Sequence, residues 1–196
     1  CGLYWGCYDA LWAIGSLLVT GYEGGTRFST NDGSDWNDMT PRWGNGWYVH
    51  ALVANDSYLF AGVTSGDYTQ GGVWRCPISE IVPPTTQLVG LAGRSIKDIA
   101  CGNNALFAVT ADSGSVYRST DGGSMWDMVF PRHVTQVATS PTGTVCILED
   151  NTPWYLLPPT QIYRSTNLGE SWIVSDIMNP VTVAISPGGT VYSGVR

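Results

Sequence analysis

Apolar residues run along the chain in short stretches, each the length of a strand and each closed off by Gly, Pro, Asn or Asp. No stretch repeats its apolar positions with a helical period, and Gly and Pro recur throughout, so the pattern predicts short strands joined by tight turns. The stretches also resemble one another. Tyr58-Leu59-Phe60-Ala61-Gly62 matches Ala105-Leu106-Phe107-Ala108-Val109, and Leu17-Leu18-Val19-Thr20-Gly21 is an earlier copy. The run from Val134 to Val145 matches that from Val181 to Val191, with Ser-Pro-Thr-Gly-Thr-Val answered by Ser-Pro-Gly-Gly-Thr-Val.

A polar motif punctuates the same repeat. STNDGSDW at 29–36, STDGGSMW at 119–126 and STNLGESW at 165–172 share Ser-Thr-Asp/Asn-x-Gly-x-x-Trp. Trp126 and Trp172 lie 46 residues apart, and Trp36 and Trp126 lie 90 apart, room for one more copy between them. GGVWRCPISEIV at 71–82 fills that place, with Cys76 and Pro77 where the Ser and Thr would stand. Each unit then reads as strand, turn, strand, Gly-rich turn, strand, motif, strand. Four antiparallel strands every 40–45 residues or so predict the blade of a β-propeller. The units fall at about 9–43, 47–90, 93–131 and 132–178, with a half unit at 180–196. The expected fold is all-β: about four four-stranded blades plus a half blade in one domain. It is expected to be partial, or completed at its edges, in preference to closing on itself, although residues 1–8 finishing the last half blade is the alternative.

Ser-x-Asp-x-Gly-x-x-Trp resembles the Asp-box, or BNR repeat, of the sialidase-like β-propellers. The resemblance covers nearly the whole chain and rests on three copies in register. It implies a place for the motif in the turn between the third and fourth strands of a blade, away from the active face. Ser29, Asn31, Gly33, Trp36, Ser119, Asp121, Gly123, Trp126, Ser165, Asn167, Gly169 and Trp172 are then structural. The Asp or Asn accepts hydrogen bonds from turn amides, the Gly takes positive φ at no steric cost, and the Trp is expected to wedge against a neighbouring sheet. Asn31 and Asn167 keep the acceptor oxygen. Sialidase chemistry would need a convergent arginine triad. Arg75, Arg118 and Arg164 instead share one repeat position, and the early Arg-Ile-Pro element of sialidases is absent.

Composition narrows the function. The chain has 196 residues and a net charge of −7, and its nine Lys and Arg are scattered singly. That excludes a basic face for nucleic acid. No apolar run approaches the roughly 20 residues of a membrane span; Ala10 to Thr20 is broken by Gly15 and Ser16. Cysteines 1, 7, 76, 101 and 146 form no metal or redox pair, and with two histidines no metal site or cofactor is expected. Cys101 and Cys146 are expected as buried thiols. Cys1 and Cys7 are placed to pair with each other or with a neighbouring chain. The composition fits a secreted or cell-surface protein, and Cys1 at the start of the chain offers a lipid attachment point as an alternative to a chain that begins mid-sequence.

Two sets of residues are candidates for chemistry. Aligning the first strands puts Asp9, His50, Lys97, Thr135 and Val181 in one column, with Asp98 and Gln136 in the next. Asp9, His50 and Asp98 are weak catalytic candidates for acid–base work, against plain solvated residues at a channel mouth. The second set is aromatic. Trp43, Trp47, Tyr48, Trp154 and Tyr155, with Lys97 beside them, lie outside the motifs, and exposed aromatic faces stack on sugars or anchor protein interfaces. The sequence therefore reads as a non-catalytic recognition scaffold for glycans or protein partners. The alternatives are a sialidase-like glycoside hydrolase fragment, or a structural subunit that self-associates through open strand edges or Cys1 and Cys7.

Overall fold

The computed structural model describes residues 8–22, 24–39, 47–65, 71–81, 85–149, 160–177 and 179–195. Every extended segment is antiparallel, and the described residues hold one short 3-10 turn, Ile78–Glu80, and no α-helix. The chain divides into two compact halves, 1–96 and 97–196.

The first half carries two four-stranded sheets. One is β1 (Tyr8–Ile14), β2 (Leu17–Tyr22), β3 (Gly25–Ser29) and β4 (Asn37–Asp38); the other is β5 (Trp47–Ala54), β6 (Tyr58–Ser65), β7 (Gly72–Pro77) and β8 (Gln87–Gly90). The second half carries β9 (Ile96–Gly102), β10 (Ala105–Thr110), β11 (Val116–Ser119) and β12 (Asp127–Phe130), then β13 (Val134–Thr139), β14 (Val145–Glu149), β15 (Gln161–Ser165) and β16 (Ile173–Val174). A two-stranded sheet, β17 (Pro180–Ile185) and β18 (Val191–Val195), follows. In each sheet the strands pair in chain order, the meander of a propeller blade. The described residues form four four-stranded blades and a two-stranded half blade of an all-β propeller fold.

Local sequence accounts for the hairpins. Between β9 and β10 the loop is Asn103-Asn104, both with positive φ (49° and 58°). That is the two-residue hairpin connection whose twist matches the strands, and Asn tolerates the left-handed region better than other side chains. Three of the second strands, β6, β10 and β14, are almost wholly buried, all six residues of β10 included, so they read as continuous apolar runs. Side chains from β9–β14 build one core in the second half: Phe107, Val116, Phe130, Val137 and Ile147, with Tyr163 and Trp172 packed against it. In the first half Val19, Phe28, Met39, Leu59, Cys76 and Ile81 join the two blades. Gly21 on β2 lies so close to the next blade that a Cβ there would stand 2.6 Å from the Val49 carbonyl oxygen, which explains a glycine in a buried strand.

The three Ser-Thr-Asp/Asn-x-Gly-x-x-Trp segments form the turns between β3 and β4, β11 and β12, and β15 and β16, with one hydrogen-bond plan. The buried Ser119 hydroxyl donates to Asp121 Oδ1 at 2.8 Å and accepts the Gly123 N–H at 2.9 Å. Asp121 Oδ1 accepts the N–H groups of Ser124 and Met125. Those donors hold its carboxyl below the ordinary value, with the Met125 amide the largest contributor. Asn31 accepts from Asp35, and Asn167 from Ser171, at 2.9 and 3.0 Å, so an amide oxygen serves as well as a carboxylate. Gly123 has φ 97° and Gly169 φ 86°, and a Cβ on Gly169 would press on the Trp172 ring at 3.2 Å.

The tryptophans behave less uniformly. Trp172 reaches the preceding blade, donating to the Val129 carbonyl at 3.3 Å and meeting Phe130 edge-on at 5.5 Å. Trp36 is 40% exposed and lies back over its own turn, donating to the Gly33 carbonyl at 3.1 Å. Ser119→Ala leaves the Gly123 amide without its acceptor in a buried turn and is expected to cost about 1–3 kcal/mol, whereas Asn167→Asp keeps the acceptor and is expected to fall within about 0.5 kcal/mol of the parent. Urea unfolding of the two variants checks both.

Candidate functional site

The first strand of a blade has one edge with no strand beside it, and its N–H groups need acceptors from elsewhere. In the second half the preceding first strand supplies them. Asp98 on β9 accepts the Val137 N–H with Oδ2 at 2.8 Å and the Ile99 N–H with Oδ1 at 2.9 Å. Gln136 on β13, the next residue of that column, accepts the Val183 N–H at 3.1 Å. Burial raises the Asp98 carboxyl to about 6, with the two amide bonds and the Lys97 charge opposing the rise. Asp98 and Gln136 thus staple successive first strands together. Exposed Lys97 neighbours Asp98 on β9.

The other column marks a backbone irregularity. Register slips by one residue at Asp9, His50, Thr135 and Val181, which places each in a β-bulge near the start of its first strand. Bulges re-aim side chains and end pairing, and they are common beside functional sites. His50 stacks on Tyr48, ring centroids 5.9 Å apart and planes 7° from parallel. Both are half-buried. Their neighbour Trp47 packs instead on the core of Val49, Ala61 and Val63. The side chain of Asp9 lies outside the described residues, as do Cys1, Cys7, Trp43, Trp154 and Tyr155. Cys146 is buried, as is Cys76, whereas Cys101, expected to be buried as well, is half-buried. Burial pushes the Cys146 thiol up to about 11 against the pull of Arg164, so it is not a nucleophile at neutral pH.

Two of the three repeat arginines act within the fold. Arg75 lies 4.5 Å over the Tyr58 ring and donates to Gln87, and Arg118 donates to the Leu168 carbonyl of the next blade's turn at 2.9 Å.

A polar cluster that sequence reading passed over lies on the fourth blade. Glu149 ends β14, Gln161 opens β15 opposite it, and Tyr163 follows two residues on. Arg132 comes from the segment entering β13. The Glu149 side chain is 1% exposed, while Arg132, whose Nη1 stands 3.6 Å from Glu149 Oε1, is 60% exposed. Arg132 Nη1 donates to the Tyr163 hydroxyl at 3.2 Å, and that hydroxyl donates to Gln161 Oε1 at 2.9 Å. Glu149 Oε2 is buried with no hydrogen-bond partner. Burial, then a hydrogen bond between its hydroxyl and Glu149 and the Glu149 charge, raises the Tyr163 hydroxyl, with Arg132 opposing. One signal was legible: Val145, Ile147 and Glu149 alternate along β14, which turns the carboxylate toward the same face as the core.

No family model matches the sequence, and no curated protein matches it. Solved structures do share the fold. Over 96% of this chain and 60% of the other, the fold superimposes on YCF48 bound to D1 peptide with a TM-score of 0.66 and 11% identity. Over 82% of this chain it matches the GH74 xyloglucanase from Xanthomonas campestris, with a TM-score of 0.64 and 14% identity. Over 95% of this chain it matches PorZ, a surface component of the type-IX secretion system of Porphyromonas gingivalis, with a TM-score of 0.63 and 12% identity. All three are propellers, as the fold described here is. The chain spans 28% of the xyloglucanase and 23% of PorZ. Among the described residues no helix is long and apolar enough to cross a membrane.

Proposed function

We propose that this chain is a run of Asp-box blades of the sialidase-like kind, and that it serves as a secreted or surface recognition scaffold for a glycan or a protein segment. The observation that carries the reading is a division of labour among the first strands. Asp98 and Gln136 are committed to backbone amides, whereas the bulge in β5 presents a half-buried stacked pair, Tyr48 and His50. Stacked aromatic rings offer a flat, low-entropy face for a sugar or an interface anchor. The hydrogen-bond plan of the three turns supports the Asp-box assignment. The peptide-bound neighbour supports a protein partner, and the surface-located neighbour supports an exported protein.

Tyr48→Ala is the direct test, because Trp47→Ala would also disturb the core. On glycan and peptide arrays the variant is expected to lose about tenfold or more in affinity for whatever the parent binds, with an unchanged circular dichroism spectrum. A parent that binds nothing on either array, or a variant that binds as well as the parent, overturns the reading.

One observation favours a glycoside hydrolase piece as the second reading: the Asp98 carboxyl, raised to about 6, lies where a general acid is useful near neutral pH. Turnover of a fluorogenic glycoside that disappears in Asp98→Asn would establish it.

A further inference from the structure

We infer that Glu149, Gln161 and Arg132 form a site for the hydroxyl groups of a neutral sugar on the fourth blade, a second contact point for the glycan reading above, on which this inference rests. The argument begins with the donors and acceptors left over. Tyr163 has one O–H, shared between Gln161 and Glu149, and its oxygen takes a bond from Arg132, so its capacity is used within the cluster. One oxygen of Glu149, Oε2, is not so served. At 3.6 Å Arg132 neutralises its charge without making a hydrogen bond to Oε1, and Oε2 has no partner although the side chain is 1% exposed. A buried carboxylate oxygen left without a donor is costly, so such groups are almost always satisfied by protein, water or ligand.

The charges then select the ligand. A cationic ligand would meet the Arg132 guanidinium beside the carboxylate, and an anionic ligand would meet Glu149 and a chain of net charge −7. A single carboxylate is a poor ligand set for a metal ion. The pair Arg132 and Glu149 sums to zero charge. It offers an acceptor in Oε2 and, beside it, donors in the Gln161 amide and the solvent-facing guanidinium. A hydroxyl group both donates and accepts, and a neighbouring pair of hydroxyls matches an acceptor flanked by donors.

Topology puts the cluster where a ligand can arrive. Glu149 ends the second strand, Gln161 begins the third, and Arg132 precedes the first. In an antiparallel meander these three points share one end of the blade. The long, rotatable Arg132 side chain, 60% exposed, links the buried Glu149 to solvent.

Saturation-transfer NMR with cello-, xylo- and manno-oligosaccharides, followed by titration, tests the site. The parent is expected to bind at least one of these neutral series. Glu149→Gln, close in shape but lacking the charge, is expected to bind it about tenfold or more weakly, the scale of one lost hydrogen bond to a charged group. Gln161→Ala, on the rim, gives a second reading should Glu149→Gln fail to fold, and is expected to weaken binding several-fold. Equal binding by folded Glu149→Gln, or by Gln161→Ala, overturns the inference and leaves a trapped water as the partner of Oε2. Binding lost in Tyr48→Ala and retained in Glu149→Gln overturns the inference and keeps the scaffold reading. A parent that binds array peptides and none of the oligosaccharides does the same.

Discussion

Phe107→Ala is expected to destabilise the protein by about 3–5 kcal/mol. Phe107 lies in the middle of β10, a strand buried along its whole length, and is itself 0% exposed. Its ring sits in the cluster that ties β9–β12 to β13–β16, among Val116, Phe130, Val137 and Ile147. Removing it takes away one of the two phenylalanine rings of that cluster and leaves a cavity between two sheets, each held by its own hydrogen-bonded ladder and so poorly able to collapse inward. The loss is a large fraction of a typical domain's 5–15 kcal/mol. Urea unfolding followed by tryptophan fluorescence measures it, and Trp172, which packs on the same cluster, makes the second half visible. A loss under about 1 kcal/mol would mean that the blades do not share this core.

The second large effect depends on pH. Burial raises the Asp98 carboxyl from 3.8 to about 6. Between those values the folded protein therefore holds a proton that the unfolded chain has released. Stability then falls as pH rises from about 4 to about 6 and levels off above. At pH 7 the penalty from this one group is on the order of 3 kcal/mol. Asp98→Asn removes the titration while leaving one acceptor for the Val137 amide, at the cost of a hydrogen bond worth about 1 kcal/mol. The stability of the variant relative to the parent is thus expected to improve by about 3 kcal/mol between pH 3.5 and pH 7. Unfolding curves at half-unit pH steps check this, and a difference independent of pH would mean that Asp98 is solvated. Gln136 holds the Val183 amide with a neutral side chain in the corresponding place of the next blade. The staple itself does not require a charge, and the carboxylate at 98 is the residue to watch in any assay for turnover.

The candidate site was only partly legible. His50, Thr135 and Val181 were grouped by aligning repeats, and the structure places all three in bulges of their strands. The parallel stack of His50 on Tyr48 could not be read off, because it depends on how the bulge turns a ring. Asp98 looked like an acid by residue type. It acts as a staple because an edge amide 39 residues away lies within its reach. The Glu149 cluster was missed because it joins residues up to 31 apart through the β14–β15 register.

What the sequence determined alone is the repeat. Strand, turn and polar motif each rest on interactions within a few residues: alternation along a strand, Asn pairs with positive φ, a serine hydroxyl reaching amides two and four residues on. Such interactions are written into any short segment that carries the right side chains. Only the tertiary structure decided which polar groups are buried, which tryptophan reaches a neighbouring blade, and which carboxylate is left with an unpaired oxygen. Those outcomes depend on desolvation by sheets that are distant in the chain, and no local pattern encodes how much water a side chain loses.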